Sequence, residues 1–308
     1  MPWRLVDTDG RRLAMKLRFE KSILDLMEGA VDIHIHSAPD VYPRILNDID
    51  LARQAKEMGM RAIVIKNHFT PTTDRAQIAS VEVDFPVYGG IALNHTVGGL
   101  NYHAVDVALK LGAKIVWLPT LHSQQFIQNR DHLTNLAGEL SDSLRGIYLL
   151  NEDGSLKEEL HPIFDLIAKK DVALATGHIS MEEAKIVVRE AAQRGIRKII
   201  VTHPLASFVH YSVEDMKEIL DLGATFLEHV YNDTTRQVDH PIRREDLYKG
   251  IRAIGADHCI MSTDSGQWLN PVPAQQMGIY IKDMEGFGVS EKDIGIMVSD
   301  NPARILGL

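Results

Sequence analysis

The chain has 308 residues, 45% of them hydrophobic and only 12 of them proline, so it can bury a sizeable core as one large domain or two ordinary ones and does not read as disordered. A formal net charge of −9 with no Lys/Arg block of five residues argues against a nucleic-acid backbone or an acidic membrane surface as partner, and no uncharged apolar run approaches the ~18 residues of a membrane span. One cysteine, Cys259, rules out an internal disulfide framework and suits a reducing compartment; the opening Met1-Pro2-Trp3-Arg4-Leu5-Val6-Asp7 lacks the apolar stretch of a signal peptide, so a cytoplasmic protein is expected.

In chain order, a polar arm and a helix near Leu17 to Gly29 precede the first β-rich run, Ala30 to His36. Further strands are expected at Ala62 to His68, Val87 to Leu93, Lys114 to Pro119, Val172 to His178, Lys198 to His203, Thr225 to His229 and Cys259 to Asp264, with amphipathic helical stretches between them. Several helices end at a glycine suited to a C-cap (Gly59, Gly112, Gly195, Gly223), each followed by a strand, and Ser180-Met181-Glu182-Glu183 has the spacing of a capping box. The longest interruption, 121–170, lengthens the link between strands four and five; a loop of that length usually carries function or an inserted helix. Eight strands alternating with helices predict a single-domain (β/α)8 barrel over 1–308, with 1–29 as N-terminal arm and helix.

Polar residues gather at the carboxyl ends of these strands, the face where such barrels place their chemistry. Strand one ends in His34 and His36, strand two in Lys66-Asn67-His68, strand five in His178, strand six in His203, strand seven in Glu228-His229 and strand eight in Asp264. Two histidines two apart on a strand share a face, about 7 Å apart, and can converge on one ion. Imidazoles with a carboxylate suit zinc, and equally manganese, iron or cobalt. Alternation along strand two puts Val64, Lys66 and His68 on one face and turns Asn67 away; if that face is the interior, an uncompensated Lys66 ammonium is costly. At the rim, Arg44 could meet a substrate carboxylate or phosphate, a solvated loop being the alternative. His95 and His122 follow strands three and four and can line a polar pocket, and His229 is expected to face substrate. Cys259 reads as a small core residue.

With His34-Ile35-His36, His178, His203, Asp264 and the closing Asn301-Pro302-Ala303-Arg304 in this order, the chain resembles the amidohydrolase superfamily of metal-dependent hydrolases from Val31 to its C-terminus. It looks most like a branch with a Lys-x-His pair on strand two. The resemblance implies one or two divalent ions, zinc expected first. His34, His36 and Asp264 would hold one ion; His178 and His203 would hold a second or bind substrate, and His68 would be a ligand or a hydrogen-bond donor behind one. Asp264 would also relay the proton of a metal-activated water attacking a small polar substrate such as an amide, cyclic amide or lactone. Two departures stand out. The bridging carboxylated Lys or Glu that many two-metal members carry on strand four is missing, Lys114 lying at the wrong end of its strand, so a carbamylated Lys66 is one replacement and an ammonium paired with Asp264 or an anion the other. About 30 residues before strand one leave no room for the accessory β-sandwich. A decarboxylase or other lyase, a phosphoesterase, a deaminase and a noncatalytic metal-binding barrel remain as alternatives, and pairing into a homo-oligomer through barrel helices is compatible with all of them.

Overall fold

The computed structural model describes residues 19–129, 145–236, 238 and 240–308. Eight parallel strands follow in sequence order around one sheet: β1 (Val31–Ile35), β2 (Ala62–Ile65), β3 (Val87–Ala92), β4 (Ile115–Trp117), β5 (Ala173–Ala175), β6 (Ile199–Thr202), β7 (Phe226–Val230) and β8 (Cys259–Ser262). The sheet closes on itself past the ends of β8 and β1, where the Asp264 amide donates to the His34 carbonyl at 2.8 Å and the His36 amide to the Ser265 carbonyl at 2.7 Å. This is the expected (β/α)8 barrel. Each strand is shorter than its β-rich run, so most of the polar residues expected at strand tips sit just beyond the strand ends.

The barrel interior is filled by Val31, Ile33, Val64, Trp117, Ile200, Phe226 and Ile260 among others, and Ile305 and Leu306 of the closing helix Asn301–Leu306 plug its amino end. Outside, the strands' other faces pack against the helices in two large apolar clusters. Of the expected first helix, Lys21–Met27 forms, and its first two positions lie outside the described residues. The link 121–170 contains a short helix, Gln124–Gln128, and the crossover helix Leu160–Lys170; 130–144 are not described.

Local chemistry explains the boundaries. The Ser180 hydroxyl accepts from the Glu183 amide while the Glu183 side chain accepts from the Ser180 amide, the reciprocal cap that starts helix Met181–Gln193. Glu183 uses its other oxygen to accept from Leu149 N at 2.8 Å, tying the β4–β5 link to the same helix end. Among the described residues no helix is long and apolar enough to cross a membrane.

Candidate metal centre

The geometry of β1 departs from plain alternation, and the departure builds the site. Val31 pairs with Ala62 and Asp32 with Ile63, but the next pair is Ile35 with Ile65, so β1 carries an extra residue there. Ile33 and His34 therefore both reach the interior, with His36 following on the same side, whereas strict alternation from Val31 and Ile33 would have turned both histidines outward. Asp32 braces the irregularity: its carboxylate accepts from the His34 amide at 3.2 Å, the Thr263 amide at 3.2 Å and the Thr263 hydroxyl at 2.6 Å. Burial lifts its pKa to about 7 against those hydrogen bonds.

Asp264 is the hub. Its Oδ1 lies 3.2 Å from His34 Nε2 and 3.0 Å from His36 Nε2, its Oδ2 3.8 Å from His203 Nε2, and Asn232 donates to Oδ2 at 3.3 Å. Donor atoms of His34, His203 and Asp264 all fall within 4.8 Å of one another. Both His203 (φ 51°) and Asp264 (φ 48°) adopt the left-handed conformation, which histidine and aspartate tolerate better than most side chains. His178 lies with its ring centroid 5.2 Å from that of His203, walled by Phe126 and Phe208, and although it is only 4% exposed neither of its ring nitrogens has a hydrogen-bond partner among the described residues. Thus the five residues singled out as ligands converge. His68 joins them, stacked on His36 at 4.8 Å, with Nδ1 2.9 Å from the Thr120 hydroxyl.

Lys66 enters the interior as alternation predicts, and Asn67 turns away to accept from the Phe69 and Thr70 amides. The Lys66 Nζ lies 2.9 Å from His34 Nε2 and 5.4 Å from the centre of the Trp117 ring. A contact that close needs one lone pair, so one member of the pair is uncharged. Burial brings Lys66 down to about 8 against the pull of Asp264 and Glu228. Burial also pushes His36, His68 and His178 well below the usual histidine range, which leaves neutral imidazoles. Asp264 is held well below the usual carboxylate range because His34 and His36 outweigh its burial.

The residues fit a divalent ion on two observations. Buried imidazole nitrogens without partners, at His36 and His178, are otherwise expensive. In the barrel mouth the buried carboxylates of Glu228, Asp233 and Asp264 gather against the cage histidines, negative charge that a divalent ion would offset.

The remaining expectations divide. Arg44 is not solvated: its side chain is 3% exposed, its Nε donates to Asp40 at 2.7 Å, and its charge acts on His36 and His68. The loop that carries it is clamped by Arg75, whose Nε and Nη2 donate to Asp48 at 2.7 and 2.8 Å and which also donates to the Ser37 and Pro39 carbonyls. His122 is buried, and its Nδ1 accepts from the His95 amide at 3.0 Å; the His95 ring is exposed and reaches the Arg145 carbonyl at 2.7 Å. Phe69 stands against His68 and His122 on one side and lines a neighbouring cleft of about 960 Å³ on the other.

His229 is a correction. Phe226 faces the interior, so Glu228 does too and His229 points out of the barrel, its ring beside Gly250 of helix Arg244–Ile254, where an added Cβ would be 3.5 Å from His229 Cε1. It cannot face substrate at the mouth. The sequence signal was available, since alternation from Phe226 selects Glu228. Asp233, in a turn after β7, carried no such signal. Burial drops His229 to about 4, and neither ring nitrogen has a partner among the described residues. The unfolded chain therefore takes up this proton from near pH 6.5 while the folded one holds off to about 4. His229→Leu should then remove an acid-side loss of about 3 kcal/mol accumulated between those values. Urea unfolding of metal-free wild type and variant at about pH 7 and about pH 4.5 reads the difference; metal content should not change, and a variant that loses metal would restore His229 to the site.

A model of a family of unknown function (DUF6282) matches residues 29–227, from β1 into β7. No curated protein matches the sequence. Among solved structures, an amidohydrolase from Pseudomonas aeruginosa is 12% identical with a TM-score of 0.63, covering 94% of this chain and 98% of its own. A probable 2-pyrone-4,6-dicarboxylic acid hydrolase from Acinetobacter baumannii is 11% identical, TM-score 0.56, covering 91% of this chain and 100% of its own. An organophosphorus hydrolase from Deinococcus radiodurans is 14% identical, TM-score 0.55, covering 91% and 92%. At such identities the likeness establishes the barrel.

Proposed function

The chain belongs to the family of unknown function DUF6282, and within that family we propose that it is a metal-dependent hydrolase of the amidohydrolase type acting on a small polar molecule, most simply an amide, cyclic amide or lactone. The observation that carries this is the turning of His34, His36 and His203 Nε2 onto the one carboxylate of Asp264, beside a His178 whose buried ring nitrogens have no partner. Three fold neighbours, an amidohydrolase and two further hydrolases, point the same way. When bound, a divalent ion supplies a water acidified towards neutrality and a Lewis acid for the substrate's carbonyl or phosphoryl oxygen.

His34, His36, His178, His203 and Asp264 would hold the ion or ions, zinc being the one we expect, with His68 as a further ligand or donor. Asp264, kept ionised by its histidine neighbours, takes the proton from the attacking water and returns it to the leaving group. Lys66 as an ammonium counters negative charge in the cage and leaves room for one ion; as a carbamate it would exchange one positive charge for one negative and call for a second. Arg44, buried and held by Asp40, would orient a substrate anion, and His95 and His122 would line the mouth.

Elemental analysis followed by a substrate panel in ¹⁸O-labelled water tests the reading. The expected result is bound divalent metal, one label in the acid product, loss of turnover with a chelator and return with the ion. Protein that takes up no divalent metal sinks it, and carbon dioxide released without label transfers it to a lyase. Bicarbonate labelled with ¹³C decides Lys66, since a carbamate carries the label and an amine does not.

A further inference from the structure

Strand β7 supplies no ligand, yet its end carries two buried carboxylates, and each meets a histidine of the cage on the side away from the centre. Glu228 Oε1 lies 3.2 Å from His34 Nδ1. Asp233, in the turn that follows, places both oxygens 3.2 Å from His203 Nδ1. An ionised carboxylate only accepts, so each of these rings carries a proton on Nδ1, and it is Nε2 that is turned towards Asp264. The other two histidines have no such support among the described residues: His36 Nδ1 and both nitrogens of His178 are buried without a partner there.

From this asymmetry we infer that Glu228 and Asp233 are positioning residues that hold His34 and His203 in the tautomer able to bind a cation, making His34, His203 and Asp264 the tight core of the site and His36 and His178 its weaker ligands. The inference rests on the metal reading above and differs from the pairing of His34 with His36 that the order of residues suggests. Among the described residues the donor atoms of His34, His203 and Asp264 all lie within 4.8 Å of one another, with His36 Nε2 3.0 Å from the same carboxylate. A carboxylate behind a ligand histidine orients the ring and raises its basicity, and losing one typically weakens metal binding about 10–100-fold. Burial puts both carboxylates where that effect is not screened: Glu228 is 1% and Asp233 4% exposed.

Two measurements on the full chain decide it. Zinc affinity by competition with a chromophoric chelator should weaken about 10–100-fold in both Glu228→Gln and Asp233→Asn, while urea unfolding of the metal-free variants shows whether the fold survives. Long-range ¹H–¹⁵N spectra of the metal-free protein should show His34 and His203 protonated on Nδ1, and a loss of zinc affinity without loss of fold separates positioning from a purely structural role. Wild-type zinc affinity in both variants overturns the inference and leaves the hydrolase reading intact. If wild type binds no zinc the hydrolase reading fails, and the spectra still judge the carboxylates: Nε2 protons on His34 and His203 overturn the inference, Nδ1 protons support it.

Discussion

Asp264→Asn is expected to keep the fold and a measurable metal content and to lower kcat by about 10²–10⁴, the usual worth of a positioned proton acceptor. The substitution is mild everywhere except in its chemistry. Asparagine is among the few side chains at ease in the left-handed conformation that Asp264 adopts at φ 48°, so no backbone strain is added. Its carbonyl oxygen can still meet His34 and His36 Nε2 in place of Oδ1, which lies 3.2 and 3.0 Å from them. What disappears is a charged oxygen able to take a proton. Turnover at saturating zinc separates this from weakened metal binding, and the acid limb of kcat/KM should vanish with the carboxylate. Wild-type turnover in the variant removes Asp264 from the mechanism.

The parts of this molecule that could be read in advance are those a single strand dictates. Runs such as Ala62 to Ile65 and Cys259 to Ser262 announce a buried parallel strand by composition, and each polar tip follows from where the run stops. Lys66 went inward because alternation within one strand required it. Pairwise properties were not legible. The extra residue in β1 exists only relative to β2, and nothing in Val31-Asp32-Ile33-His34 shows that Asp32 will cross to Thr263 and steady it. Arg44 illustrates the same limit from the surface side: a loop arginine looks solvated until Asp40 and the Arg75 clamp are seen to bury it. At β7 the pattern was legible, since the inward phase of Phe226 selects Glu228 and turns His229 out of the barrel.

Gly266 carries the largest stability effect expected from adding a single methyl group. It sits at φ +133°, where any Cβ is strained, and a Cβ there would overlap the His36 carbonyl oxygen and crowd the His36 carbonyl carbon and Cβ. The two chains cannot simply part. His36 N donates to Ser265 O at 2.7 Å and Ile45 N to Gly266 O at 2.9 Å, so the loops after β8 and β1 are laced together on both sides of the glycine. Gly266→Ala must either break those bonds or swing His36 off Asp264, and we expect a loss of about 3 kcal/mol or more together with weaker metal binding. Gly286→Ala is the contrast: it ends helix Pro273–Gly286 with nothing within 4 Å of an added Cβ and no positive φ, so it should be neutral or stabilise by up to about 1 kcal/mol. Urea unfolding with metal analysis on both variants decides the matter, and a Gly266→Ala protein as stable and as metal-rich as wild type would mean that the close approach of the β1 and β8 loops does not position His36.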